Sequence, residues 1–101
     1  MYGLKERDLF FILEVMKDHD EIEEVILYGS RAMGNYKPGS DIDLALKGAK
    51  VDQRILLKVC DSLEEVYPIP YFFDVLDYKT ITNQDLIDHI DREGKTIYKR
   101  K

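Results

Sequence analysis

Residues 28–44, YGSRAMGNYKPGSDIDL, constrain this chain more than any other stretch. An apolar run, EEVILY, stops at Gly29-Ser30, and a loop punctuated by Gly34, Pro38 and Gly39 follows. The chain then turns apolar again through Ser40-Asp41-Ile42-Asp43-Leu44. Side chains two residues apart on a strand point to the same face. Asp41 and Asp43 therefore share one, with Cα atoms about 6.7 Å apart, while Ile42, Leu44 and Leu46 take the other and face the core. A strand, a glycine loop and a second strand with paired carboxylates form a layout suited to phosphate and magnesium chemistry.

Hydrophobic periodicity sorts the rest into helices and strands. Residues 5–18 read as a helix, with Leu9, Ile12, Leu13 and Met16 at helical spacing and Phe10 and Phe11 widening the stripe. That face packs on a sheet, and part of it is a candidate for contact with a partner chain. Residues 24–28, EVILY, are the first strand. Residues 31–35 make a short helix whose first amides face any anion over the loop. The second strand is 41–46, and residues 51–66 form a helix with Ile55, Leu56, Val59, Cys60, Leu63 and Val66 as its apolar face. Pro68 and Pro70 stop that helix and lead into a third strand, 71–77. Residues 82–91 are the last helix, capped by Thr82 with Asp85 or by Asn83, with Leu86, Ile87 and Ile90 buried and Gly94 as its stop. Residues 95–98 add an edge strand or pack back. The expectation is one α+β domain over residues 1–101, a small mixed sheet of three to four strands flanked by helices.

Alternation along 71–77 puts Phe72, Asp74 and Leu76 on one face and Tyr71, Phe73, Val75 and Asp77 on the other. Asp74 is then a charge inside an aromatic and aliphatic run, which is costly unless paired or metal-bound. Asp77, at the strand end, reads as a surface residue and is the fallback for a third carboxylate. Asp41, Asp43 and Asp74 together suit nucleotidyl transfer, in which two magnesium ions about 3.5–4 Å apart bridge the attacking oxygen and the α-phosphate of a nucleoside triphosphate. Asp41 and Asp43 would hold the ion on the triphosphate tail. Asp74 would complete the catalytic ion and accept the proton of the incoming hydroxyl. Gly29-Ser30 would give amides and a hydroxyl to the β and γ phosphates, with Arg31 as countercharge. Other phosphate and metal loops fail on sequence. A calcium hand needs an oxygen-rich loop of about 12 residues ending in Glu, whereas Leu-Ala-Leu follows Asp43. The Gly-Lys-Ser/Thr of a P-loop and the Gly-x-Gly-x-x-Gly of a dinucleotide site are both absent.

Composition narrows the partners. A net charge of −5 argues against a large sequence-independent nucleic-acid surface. The one cysteine, Cys60, allows no internal disulfide; it reads as a small core residue, and its use fits a reducing, cytoplasmic setting. No apolar run reaches the length of a membrane span, and the start MYGLKERDLF lacks the apolar core of a signal peptide. His19, in the loop after the first helix, reads as a solvated loop residue.

Gly29-Ser30-Arg31-Ala32-x-Gly34 and Ser40-Asp41-x-Asp43-Leu44, followed by Asp74 on a later strand, resemble the nucleotidyltransferase superfamily that includes DNA polymerase beta. More narrowly they resemble the minimal nucleotidyltransferases, among them the antitoxins paired with HEPN-domain toxins. The resemblance covers essentially the whole chain and implies a nucleotidyltransferase fold. It implies that Gly29 and Ser30 bind phosphate, with Arg31 and Ser40 in the nucleotide-binding set. It implies that Asp41, Asp43 and Asp74 hold two Mg²⁺ ions, and that AMP passes from ATP to a tyrosine hydroxyl of a HEPN toxin, silencing it. Polymerase-like relatives carry a further helical domain. Nothing after residue 101 supplies one here, so the cleft is expected to be completed by a partner or by a second copy of the chain. Seven tyrosines and four phenylalanines exceed what a small core needs, and Tyr36, Tyr67, Tyr71 and Tyr78 are candidate interface contacts.

Two other readings stay open on sequence. The chain could neutralise a partner by contact alone, its nucleotide site residual. It could instead modify RNA or a small hydroxylated molecule, because the base and acceptor pockets are not written in the motif.

Overall fold

The computed structural model describes residues 1–37, 39–65 and 71–100. The expectations for Pro38, Val66, Tyr67, Pro68 and Pro70 lie outside the described residues. Among those described, the order is α1 (Glu6–Lys17), β1 (Glu24–Tyr28), α2 (Ser30–Met33), β2 (Ile42–Lys47), α3 (Gln53–Glu65), β3 (Phe73–Asp77), a 3-10 turn (Tyr78–Thr80), α4 (Gln84–Glu93) and β4 (Lys95–Lys99). The strands lie in the order β3-β2-β1-β4. β1 is antiparallel to both neighbours, β2 and β4, and β2 is parallel to β3. A parallel pair needs a long crossover, and α3 is that crossover. The result is an α+β fold with a mixed sheet of four strands, β4 forming an edge beside β1.

Strand alternation divides the apolar side chains between the two faces. Val25, Leu27, Ile42, Leu44 and Leu46 pack with Ile12 and Met16 of α1 and with Ile55, Val59 and Leu63 of α3. On the other face Ile26, Tyr28 and Ala45 meet Ile90 of α4, with Leu76 and Leu86 packed alongside. The first cluster is the larger, and each fully buried Leu, Ile or Met in it contributes about 1.5–3 kcal/mol by burial. The second face is thinly covered, since α4 packs on β1. Asp43 of β2 and Asp74 of β3 lie on this thin face.

Details of the helices differ from the periodic reading. The buried face of α1 is Asp8, Ile12, Val15 and Met16, so the stripe is turned relative to the expected one. Leu9 and Leu13 are half-buried, and Phe10 is 62% exposed. The wide stripe overcounted apolar residues that the small sheet cannot cover. Asn83, not Thr82, caps α4, its Oδ1 accepting from the amides of Asp85 and Leu86 at 3.0 and 3.3 Å. Gly94 ends α4 with φ −66°, not in the left-handed region. It is glycine because a Cβ there would run into the Ile90 carbonyl and the Ile26 side chain. Cys60 is half-buried, and burial followed by the charges of Glu64, Asp61 and Asp74 pushes its thiol up. That is the opposite of an activated nucleophile.

Candidate active site

The sheet register assembles the centre of the site. β1 pairs Tyr28 with Asp43, and β2 pairs Asp43 with Asp74. Registered neighbours share a face, so Tyr28, Asp43 and Asp74 stand side by side across three strands. Asp41 lies just before β2, exposed, at the same end of the sheet. Asp77 pairs with Leu46, an odd number of positions along, and so points to the opposite face. It is 4% exposed, accepts from the Lys79 amide at the start of the 3-10 turn, and forms a 2.7 Å ion pair with Lys79 Nζ. Lys79 Nζ also donates to the Val51 carbonyl.

The fallback carboxylate is thus on the wrong side of the sheet from Asp43. The expected burial of the pair is also reversed, Asp74 being exposed and Asp77 buried. β3 is an edge strand, and the side chain of Asp77 turns toward the covered face, where Lys79 neutralises it. Asp74 faces the thin side.

Charge repulsion marks the row. Asp43 has its carboxyl pushed up to about 6 by burial first, then by the negative charges of Asp74 and Asp41, with His89 opposing. The Tyr28 hydroxyl is raised by burial and by Asp74 and Asp43. Among the described residues, no three His, Cys, Asp or Glu side chains are already gathered closely enough to hold a metal ion. The donor set nevertheless fits magnesium. It is all carboxylate oxygen, the chemistry a hard cation takes, and its repulsion is what a divalent cation would relieve. Asp41, Asp43 and Asp74 are the residues that would hold it.

The Gly29-Ser30 turn abuts that row. Gly29 has φ +77° and ψ −155°, backbone open in practice to glycine alone. A Cβ at Gly29 would also collide with Asp43 Oδ2. The turn is closed by hydrogen bonds from the amides of Met33 to the Gly29 carbonyl and of Asn35 to the Ser30 carbonyl, both 3.1 Å. Gly34 follows as a left-handed C-cap at φ +84°. The Gly29 amide, expected to face phosphate, donates instead to His89 Nε2 at 3.0 Å. The His89 ring meets Tyr28 edge-on, with centroids 6.1 Å apart.

Arg31 has a different task from the expected countercharge. It is 2% exposed. Its Nε and Nη2 donate to the Ser40 carbonyl at 3.2 and 2.9 Å, and Nη1 donates to the Tyr2 carbonyl at 2.9 Å. The guanidinium lies 5.3 Å from the Tyr36 ring and 4.8 Å from that of Tyr71. Arg31 therefore bolts the end of the loop, immediately before Asp41, to the N-terminal segment. Ser40 Oγ accepts from the Lys37 amide at 2.8 Å, holding the same turn. Tyr36 and Tyr71, expected at an interface, are engaged by Arg31. Tyr78 donates to Asp91 at 2.7 Å and lies under Lys47.

No sequence motif marks His89. It follows Leu86 by three residues and adjoins Ile90, which is helical spacing for the face that packs on β1. That spacing was the available signal.

A family model described as Polymerase beta, Nucleotidyltransferase matches residues 11–101. No curated protein matches the chain. Among solved structures, the fold is similar to a crystal structure of a toxin-antitoxin with AMP-PNP, at TM-score 0.72 and 20% identity, covering 97% of this chain and 76% of that one. It is also similar to the toxin-antitoxin MntA-HepT, at TM-score 0.70 and 17% identity, covering 95% of this chain and 74% of that one. At such identities the likeness is one of fold.

Proposed function

The chain belongs to the Polymerase beta, Nucleotidyltransferase family, and from that premise we propose that it transfers AMP from ATP to a tyrosine hydroxyl of a HEPN-domain toxin, acting as its antitoxin. The observation that carries the proposal is the register of Asp43 with Asp74 on the open face of the sheet, beside Asp41 and the Gly29-Ser30 turn. Magnesium, when bound, would neutralise these carboxylates and the charge that develops on the α-phosphate. Asp41 and Asp43 would hold the metal and, with it, the triphosphate. Asp74, exposed on β3, accepts the proton of the incoming hydroxyl as the tyrosine oxygen bonds the α-phosphorus, the bond from that phosphorus to the β-phosphate oxygen breaks, and pyrophosphate leaves. Ser30 offers its hydroxyl to the triphosphate, while Arg31 fixes the loop that delivers Asp41.

An acceptor on another chain suits the exposed apolar surface beside Asp74. Phe72 is 79% exposed and two residues before Asp74, hence on the same side of the strand. Two solved structures of like fold are of toxin-antitoxins, one of them with AMP-PNP, which agrees with a nucleotide substrate and a protein partner. A cytoplasmic setting follows from the partner class and agrees with the free thiol of Cys60. Among the described residues, no helix is long and apolar enough to cross a membrane.

The test is incubation of the protein with Mg²⁺, α-labelled ATP and the HEPN-domain partner. Label on a partner tyrosine supports the proposal. The absence of label from a partner that another adenylylating enzyme does modify overturns it. A second reading, neutralisation by contact alone, is favoured by the exposed Phe72, an apolar surface that a partner would cover. Asp41→Asn with Asp43→Asn separates the two. Neutralisation that survives the double substitution shows that contact suffices.

A further inference from the structure

His89 is the one titratable side chain from α4 that reaches the Gly29 turn by a hydrogen bond among the described residues. Its Nε2 accepts from the Gly29 amide, its ring rests edge-on against Tyr28, and Tyr28 is the registered neighbour of Asp43. The α-carbon of Gly29 lies so close to Asp43 Oδ2 that no Cβ fits between them. A displacement of Gly29 therefore changes the space in which the Asp43 carboxylate rests. Gly29 is held in a backbone conformation costing about 1–3 kcal/mol, of the kind that persists only when its surroundings over-determine it. The imidazole is part of what determines it.

We infer that His89 is a positioning residue for the nucleotidyl-transfer site: through the Gly29 amide and the Tyr28 ring it fixes where Asp43 presents its carboxylate. The inference rests on the proposed nucleotidyltransferase reading and adds to it a residue 46 positions from Asp43 in sequence. A misplacement of about 1 Å at a reacting centre costs as much as a hundredfold in rate, so loss of one anchoring contact is expected to cost about tenfold.

Two variants of the full chain test it. His89→Phe keeps a ring against Tyr28 but removes the acceptor. His89→Gln keeps an acceptor oxygen at similar reach. Affinity for AMP-PNP is measured by titration calorimetry with and without Mg²⁺, alongside kcat and KM for transfer. In His89→Phe, AMP-PNP affinity without metal stays within about twofold, while the gain in affinity given by Mg²⁺, and kcat, fall about tenfold; His89→Gln restores most of both. A purely structural role would lower metal-free affinity and kcat together, in proportion to the unfolded fraction, and leave the Mg²⁺ gain unchanged, which also overturns the inference. A His89→Phe protein that folds and keeps the full Mg²⁺ gain and kcat overturns the inference. Should that variant not fold, wild-type NMR decides. A through-hydrogen-bond coupling between the Gly29 amide and His89 Nε2, with both resonances shifting when Mg²⁺ and AMP-PNP are added, supports the inference. Absence of either the coupling or the shift overturns it. Failure of wild type to bind AMP-PNP with Mg²⁺ counts against the proposed function itself and is read separately from the His89 comparison.

Discussion

Asp43→Asn removes a charge that the metal-free protein holds against its neighbours. The Asp43 carboxyl is raised from 3.8 to about 6, chiefly by burial and then by Asp74 and Asp41. The native state therefore binds this proton more tightly than the unfolded chain does. The stability it contributes is full below about pH 3.8 and is lost as pH rises through about 6. Asparagine never ionises and so restores it at neutral pH. The raised value sets a ceiling of about 3 kcal/mol. The side chain is only partly buried, and solvent screening brings the figure to about 1 kcal/mol. For a chain of this size that is a rise in Tm of about 4–8 °C. Thermal melts followed by circular dichroism, in EDTA at pH 8 and at pH 4.5, measure it. At pH 8 the variant should melt higher and transfer no nucleotide, and at pH 4.5 most of the difference should disappear. Added Mg²⁺ should raise the melting temperature of wild type and not that of the variant. A variant that melts at or below wild type at pH 8 would refute the claim that Asp43 sits among unneutralised carboxylates.

Other substitutions probe the rest of the site. Asp74→Asn should abolish transfer with little change in melting. Asp77→Asn should leave the chemical step intact and cost about 2 kcal/mol in urea unfolding, because it strips a buried partner from Lys79. The reverse pattern would return the third-carboxylate role to Asp77. Gly29→Ala should cost at least about 2 kcal/mol, combining left-handed backbone with a clash at Asp43, and should eliminate Mg²⁺-dependent AMP-PNP binding; near-wild-type melting would show that the turn is not constrained as described. Arg31→Met should cost about 2–4 kcal/mol, since it abandons the Ser40 and Tyr2 carbonyls and the contacts with Tyr36 and Tyr71. Unchanged stability with lost triphosphate affinity would instead put the guanidinium on phosphate.

Much of this architecture is visible in the chain because local signals agree with the global fold. β1 is found at residues 24–28 as expected, since both faces of that strand are covered and its apolar run is continuous. The Asp-x-Asp spacing likewise placed two carboxylates toward one end of one strand. What stayed hidden depends on the packing of distant segments. Arg31 next to a glycine-serine turn suggests an anion partner, and only the fold brings the Tyr2 and Ser40 carbonyls and two tyrosine rings around it. Asp74 and Asp77 lie on opposite faces by alternation alone, but which face is covered depends on where α3 and α4 dock. Residues 95–98 read as an edge strand or as a segment that packs back, and nothing local decides between the two or names β1 as the neighbour of β4. His89 reaches Gly29 across 60 residues, a contact with no local signature beyond the helical spacing of α4.

The account stands or falls on whether the carboxylate row acts on a nucleotide. The most direct measurement is mass spectrometry of the HEPN-domain partner after incubation with the wild-type protein, Mg²⁺ and ATP, with Asp43→Asn in parallel. The account predicts that the partner gains the mass of AMP on a tyrosine with wild type and gains nothing with the variant. A partner silenced equally by both proteins and unchanged in mass would contradict it.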